Sequence, residues 1–270
     1  MCCARQRRAG RAGQEASSNG SSSTQCRKGT MPYYEGEFRN GQMHGSGTIH
    51  WEEAEGELRL RYDGLFADNK RVAGASCKLV YRSLDTYVGE LDGQYTPHGS
   101  GRKTYAEDGD YYEGEWKGGK SDGQGKLVSG EQTYVGAFVL GNKEGEGVMS
   151  YADGAEYRGN WLENEQSGQG TLKYASGDVY TGDWRKGMQD RGVLRFANGD
   201  CLTGTFRENV PHGPDCRKEF ANGDVFVGEY SKGKRIKGKT VFADGTVYEG
   251  EMRDGKAHGR GRLVFAGALP

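Results

Sequence analysis

The chain has 270 residues, of which 34% are hydrophobic and 47 are glycine, and its formal net charge is −1. So little apolar material argues against an ordinary compact core, and abundant glycine without a three-residue period, beside only 5 prolines, excludes collagen. The near-zero charge gives no electrostatic reason to expect nucleic acid, and no apolar run reaches the roughly 18 residues of a membrane span.

Residues 1–30 read as a disordered basic and serine-rich arm, with six basic residues against the single acid Glu15 and few apolar side chains. Cys2 and Cys3, beside Arg5, Arg7 and Arg8, are candidate lipidation sites, since stable anchoring needs an acyl chain plus a second signal such as a basic patch. The glycine required for myristoylation is missing. An Arg- and Ser-rich, acid-poor start also fits an organelle transit peptide, and a third reading starts translation at Met31 and makes the arm dispensable. The remaining cysteines, at 26, 77, 201 and 216, show no C-x-x-C spacing, so a zinc site has no support and reduced cytosolic thiols are expected.

From Tyr34 onward the chain repeats itself. Tyr34-Glu35-Gly36-Glu37-Phe38 recurs as Tyr112-Glu113-Gly114-Glu115-Trp116 and as Tyr157-Arg158-Gly159-Asn160-Trp161. The copies begin at Tyr34, Tyr62, Tyr87, Tyr112, Tyr134, Tyr157, Tyr180, Leu202, Phe226 and Tyr248, and each has glycine two residues later. Tyr180, Gly182 and Trp184 alternate with polar residues, which places them on one face of a strand. A second alternating strand follows, as in Gly168–Tyr174. Then comes a turn pair such as Asp153-Gly154, Asn198-Gly199 or Asp244-Gly245, which suits a two-residue hairpin with positive φ at both central residues.

Each copy is therefore a β-hairpin, marginal alone and stable when stacked on its neighbours. The expected fold is all-β: an elongated single-layer antiparallel sheet solenoid of about ten hairpins, on the order of 100 Å long at ~4.8 Å per strand. The glycines would leave slots in which an aromatic ring of the same or the adjoining copy lies flat. The array is expected over residues 31–265, followed by a short tail at 266–270.

The Y-x-G-x-W/F segment, followed by H-G-x-G in Gln42–Gly47, Pro97–Gly101 and Ala257–Gly261, resembles the MORN repeat. Two copies depart from the pattern. The second, Tyr62–Tyr81, lacks H-G-x-G, and the eighth has Cys216 where the second glycine should stand, so broken or bulged pairing is expected there. The resemblance implies a non-enzymatic module with no cofactor. Such arrays occur alone in cytoskeletal, ciliary and flagellar proteins, and many bind proteins. The alternative is a peripheral membrane adaptor that binds anionic phospholipid through its basic C-terminal end and N-terminal arm, and the cytoskeletal reading stands beside it. On this reading the partners are cytoskeletal or axonemal proteins in the cytoplasm, and exposed strand edges would permit a homodimer.

One stretch competes with that reading. Gly233–Thr240, GKRIKGKT, matches the phosphate-loop pattern G-x-x-x-x-G-K-[ST] letter for letter, but such a loop needs a strand before it and a helix after it. In repeat register Gly238 stands where Gly192 stands in the seventh copy, and no room for a helix follows Thr240. Lys237 and Lys239 then take alternate strand positions, with Lys234 and Arg235 in the preceding turn. Residues 226–270 hold nine basic residues against five acids, and residues 131–166 hold seven acids against Lys143 and Arg158. Lys234, Arg235, Lys237, Lys239, Arg260 and Arg262 are the candidate contact residues for an acidic protein surface or an anionic bilayer. His44, His98, His212 and His258 recur at one place in the repeat, in four of the copies, and do not converge, so a local structural role is expected and metal or catalytic chemistry is not.

Overall fold

The computed structural model describes residues 3–4, 32–51, 59–72 and 74–267. Cys2 lies outside the described residues. Of Cys3 only the backbone is described, in a two-residue strand, Cys3–Ala4, parallel to Tyr33 and Tyr34. The described elements are all β-strands, paired antiparallel apart from that short one. The chain divides into two units, Met1–Ser121 and Asp122–Pro270.

In the first unit the hairpin Tyr33–Arg39 with Gln42–His50 leads to Arg59–Ala67, then Lys70–Arg71, Cys77–Tyr81, Thr86–Leu91, Pro97–Thr104 and Tyr111–Lys117. The second unit runs from Lys120–Ser129, most of which belongs to it, through regular hairpins such as Glu156–Leu162 with Glu165–Lys173, to Val247–Arg253 with Lys256–Val264.

The register explains the glycine content. Gly136, Gly147, Gly159, Gly170, Gly182, Gly192 and Gly204 stand opposite one another on successive strands, an unbroken row without side chains. Each tyrosine lies over its own copy's slot, so a Cβ on Gly170 would meet the Tyr157 hydroxyl oxygen at 2.4 Å and one on Gly47 would meet that of Tyr34 at 2.2 Å. Only glycine admits a ring that close.

A bulge accompanies the slot. Between Gly159 and Trp161 the register shifts, leaving Asn160 without an opposite residue in the following strand, and Asp183 and Ala137 repeat this. The tyrosine hydroxyl donates to the freed carbonyl: Tyr157 to Asn160 at 3.0 Å, Tyr180 to Asp183 at 3.0 Å and Tyr134 to Ala137 at 3.1 Å. The first glycine of H-G-x-G sits in the bulge at positive φ, 67° at Gly45 and 67° at Gly259, so the preceding histidines flank a bulge.

Rings of adjoining copies then interlock. Tyr157 packs edge-on against Trp161 of its own copy at 5.3 Å and against Trp184 of the next at 5.0 Å, and Tyr180 does the same with Trp184 and Phe206. Such pairs contribute about 0.5–1.5 kcal/mol each beyond burial. The indole N–H groups of Trp116, Trp161 and Trp184 reach back to a glycine carbonyl of the copy before, Trp184 to Gly170 at 3.2 Å and Trp116 to Gly101 at 2.8 Å. The core of each unit is this single ladder; Tyr87, Tyr157, Tyr180 and Phe226 are completely buried.

The turns differ from expectation. At Asp153-Gly154 and Asn198-Gly199 only the glycine has positive φ, 88° and 93°. The Asp153 and Asn198 side chains accept the amides of Ala155 and Asp200, at 2.9 and 3.0 Å, which keeps the acceptor residue on the ordinary side of φ space. The two-residue turns with both φ positive lie inside the copies, at Asn40-Gly41, Glu163-Asn164, Lys186-Gly187 and Asp254-Gly255. Tight closure of the two strands demands this geometry even of lysine and glutamate.

The second and eighth copies are irregular in the same way. Pairing is interrupted between Lys70–Arg71 and Cys77–Tyr81, and between Val210–Pro211 and Gly213–Glu219. The carbonyls of Leu65 and Thr205, which a tyrosine hydroxyl would take elsewhere, accept backbone amides of Val72 and His212 at 2.9 Å each. A buried cysteine stands in the glycine row in both: Cys77 opposite Gly89, and Cys216 opposite Gly228. The thiol of Cys77 donates to the Gly89 carbonyl at 2.9 Å.

Candidate functional site

Alternation puts the remaining side chains on the face opposite the rings. In the second unit Val135, Val148, Arg158, Thr171, Thr181, Val193 and Thr203 form one cross-strand row. Val135 is 51% exposed. Val135, Ala137, Arg158, Asn160, Gln169 and Thr171 line a shallow groove of about 660 Å³ on this face. The first unit has a counterpart of about 660 Å³ lined by Glu35, Thr48, Asp63, Leu65, Lys78 and Val88, in which the Thr48 hydroxyl donates to Asp63 at 2.9 Å.

The candidate cations divide into two groups. Lys237, Lys239, Arg260 and Arg262 are exposed, and their alternation with Gly238 and Gly261 puts them on the face opposite the rings. Acids interleave with them: Lys239 and Arg262 flank Glu249 in register, and Lys237 lies between Glu229 and Glu251. Lys234 and Arg235, expected in a turn, instead open the strand Lys234–Val241, because the turn is the preceding Lys232-Gly233, at φ 48° and 79°. Lys234 pairs with Asp254 at 3.0 Å, whereas Arg235 lies on the ring face, 5.1 and 5.3 Å from the ring centres of Phe220 and Phe226, and donates to the Gly255 carbonyl. Arg235 therefore does not join the other four.

GKRIKGKT is thus turn and strand. Gly238 lies in the glycine row opposite Gly228 and Gly250, where a Cβ would meet the Phe226 ring at 2.6 Å. A strand in the place of the required helix presents no aligned N–H groups to a phosphate.

The ring face of the second unit carries a different groove, of about 520 Å³, between Tyr151 and Tyr174 with Ala155, Leu172 and Trp184 beneath and Asp153 beside it. Gln166 donates to the Tyr151 hydroxyl at 2.8 Å, and the buried Gln189 donates to that of Tyr174. Burial raises the pKa of both phenols, so both are neutral at physiological pH. No motif marks this groove, although Asp153 belongs to the acidic stretch 131–166; its other signal is Ala155 and Leu172, at positions where the third and eighth copies carry aspartate and lysine.

A single layer of hairpins, each closing its slot with its own ring and its neighbour's with the next, defines a tandem β-repeat scaffold. The MORN repeat model matches residues 34–53, 112–132, 134–156, 157–179, 180–201 and 248–267. The chain belongs to the MORN-repeat proteins. It is also similar to alsin from Mus musculus, 28% identical over 142 residues, and to alsin from Homo sapiens, 27% identical over 142 residues. Each match covers 48% of this chain and 8% of alsin. Among solved structures, the TCP10 domain of Danio rerio CPAP in complex with a peptide of Danio rerio STIL is similar at a TM-score of 0.46 and 15% identity, over 83% of this chain and 94% of that one.

Proposed function

We propose that this chain is a non-catalytic scaffold that binds partner proteins, in a cytoskeletal, ciliary or flagellar setting. The observation that supports it is the face opposite the rings: an ordered cross-strand row of valine, threonine and arginine with no second layer over it among the described residues. Side chains of this mixed character suit a protein surface, while the marker rings on the other face, such as Tyr157 and Tyr180, are buried in holding the fold. The setting rests on the family resemblance. Affinity capture of the tagged chain under mild lysis tests it; the expected result is co-purification of cytoskeletal or axonemal proteins, and their absence would remove that location.

A second reading, a peripheral adaptor for anionic phospholipid, draws on Lys237, Lys239, Arg260 and Arg262 sharing one face. Each cation near an anionic bilayer contributes about 1 kcal/mol, but Glu229, Glu249 and Glu251 stand between them, which favours the protein partner. Liposome flotation with and without anionic lipid separates the two readings, and equal recovery in both would sink the lipid one.

A further inference from the structure

The chain contains, twice, a lysine held between two aromatic rings. Lys218 Nζ lies 4.7 Å from the ring centres of both Phe196 and Phe220 and pairs with Asp200 at 2.8 Å. Lys103 Nζ lies 5.0 and 4.8 Å from the ring centres of Tyr81 and Tyr105 and pairs with Asp85 at 3.2 Å. The parts are at equivalent places: the lysine on the second strand, one ring from each flanking turn, and the aspartate two residues before Tyr87 or Leu202. That aspartate also accepts an alanine amide of the next turn, Ala106 at 3.1 Å and Ala221 at 3.0 Å.

The groove between Tyr151 and Tyr174 is the equivalent place in the sixth copy, where neither the lysine nor the aspartate of the third and eighth copies is present. Leu172 stands where Lys103 and Lys218 stand, and Ala155, two residues before Tyr157, stands where Asp85 and Asp200 stand. The two rings remain, each fixed by a glutamine, and what is left between them is the space of about 520 Å³. Asp153 lines it, in the stretch 131–166 where seven acids stand against two basic residues. A cation over an aromatic face gains about 0.5–2 kcal/mol, more as water is excluded.

We propose that this groove receives a lysine side chain from a basic segment of a partner protein, which restores the cage that the chain fills for itself elsewhere. The proposal deepens the protein-binding reading above and rests on it. The chain's own lysines set the chemistry, an ammonium between two ring faces, and Asp153 in the lining sets the sign of the partner.

The test is fluorescence anisotropy of the full chain with a short fluorescein-labelled peptide of repeated Gly-Ser-Lys units, and with the same peptide acetylated at every lysine. Saturable binding of the first is expected, at least tenfold tighter than of the second. The double variant Ala155→Asp/Leu172→Lys, which installs the internal lysine, should bind the lysine peptide at least tenfold more weakly. Should it fail to fold, the surface change Asp153→Asn is expected to weaken binding about fivefold. No saturable binding, equal affinity for both peptides, or equal affinity of the wild type and a folded variant would each overturn the proposal. Cellular partners captured equally by the wild type and the double variant would overturn this site and leave the scaffold reading standing; no partners for either would remove the scaffold reading itself.

Discussion

Cys216 faces Gly204 across the sheet, its sulfur 2.6 Å from where a Cβ on that glycine would stand. The thiol occupies the slot that a tyrosine ring fills in other copies, and the marker residue of this copy is the shorter Leu202, 2% exposed. Leucine and cysteine together replace tyrosine and glycine. Leu202→Tyr alone should force a ring into the sulfur, and Cys216→Gly alone should leave a void, each costing about 1–3 kcal/mol. The double variant should recover at least about 1 kcal/mol relative to the sum. Urea unfolding of the four proteins measures this, and additive losses would refute the pairing.

Gly170→Ala isolates the slot itself. The residue has ordinary φ, so backbone strain is not involved, and the new methyl meets the Tyr157 hydroxyl and ring at 2.4 and 2.6 Å. The ring must lift, losing its bond to the Asn160 carbonyl, at a cost of about 1–3 kcal/mol. A midpoint unchanged in denaturant would contradict this account.

The buried tyrosines make the fold sensitive to alkali. Burial, followed by the nearby Glu144, raises Tyr134 to about 12, and burial first of all raises Tyr62, Tyr87, Tyr157 and Tyr180 further still. These groups hold their protons more tightly folded than unfolded. Their contribution is therefore complete below the unfolded value of about 10 and is lost as pH rises through the folded values. Absorbance at the tyrosinate band should lag behind that of a tyrosine model until unfolding, then rise with the loss of β-sheet circular dichroism. Smooth titration near pH 10 without unfolding would contradict it.

Lys218→Met tests the internal cage. Its pair with Asp200 is 19% and 10% exposed, so removing the ammonium leaves a nearly buried carboxylate, at a cost of about 1–3 kcal/mol. The hydrogen bond from Lys218, chiefly, holds the Asp200 carboxyl below its ordinary pKa. That stability is present above the unfolded value of about 4 and lost as pH falls through the folded one. The variant should lose stability at neutral pH and show a shallower acid limb between pH 4 and 2; parallel acid limbs would refute the pairing.

The hairpins, the markers and the purpose of the glycines were legible because they depend on residues within a few positions of one another. Tyr180, Gly182 and Trp184 share a face in any extended chain. Cys77 was not seen to interrupt the glycine row, because its neighbour there, Gly89, is set by cross-strand register. Register depends on where the bulges fall, and nothing local to Asn160 or Asp183 reports one. The turns at Asp153 and Asn198 were misjudged for a related reason: the side-chain acceptor decides the geometry, and the dipeptide alone does not. The Tyr151–Tyr174 groove was invisible in the sequence, since it is defined by what Ala155 and Leu172 lack relative to copies far away in the chain.

The backward reach of the indoles gives assembly a direction. Trp184 completes the hydrogen bonding of Gly170, and its ring closes over Tyr157, which was synthesised earlier. A nascent copy leaving the ribosome therefore waits for its successor before its own ring is enclosed. Translation order and packing order coincide, each new hairpin finishing the one before it.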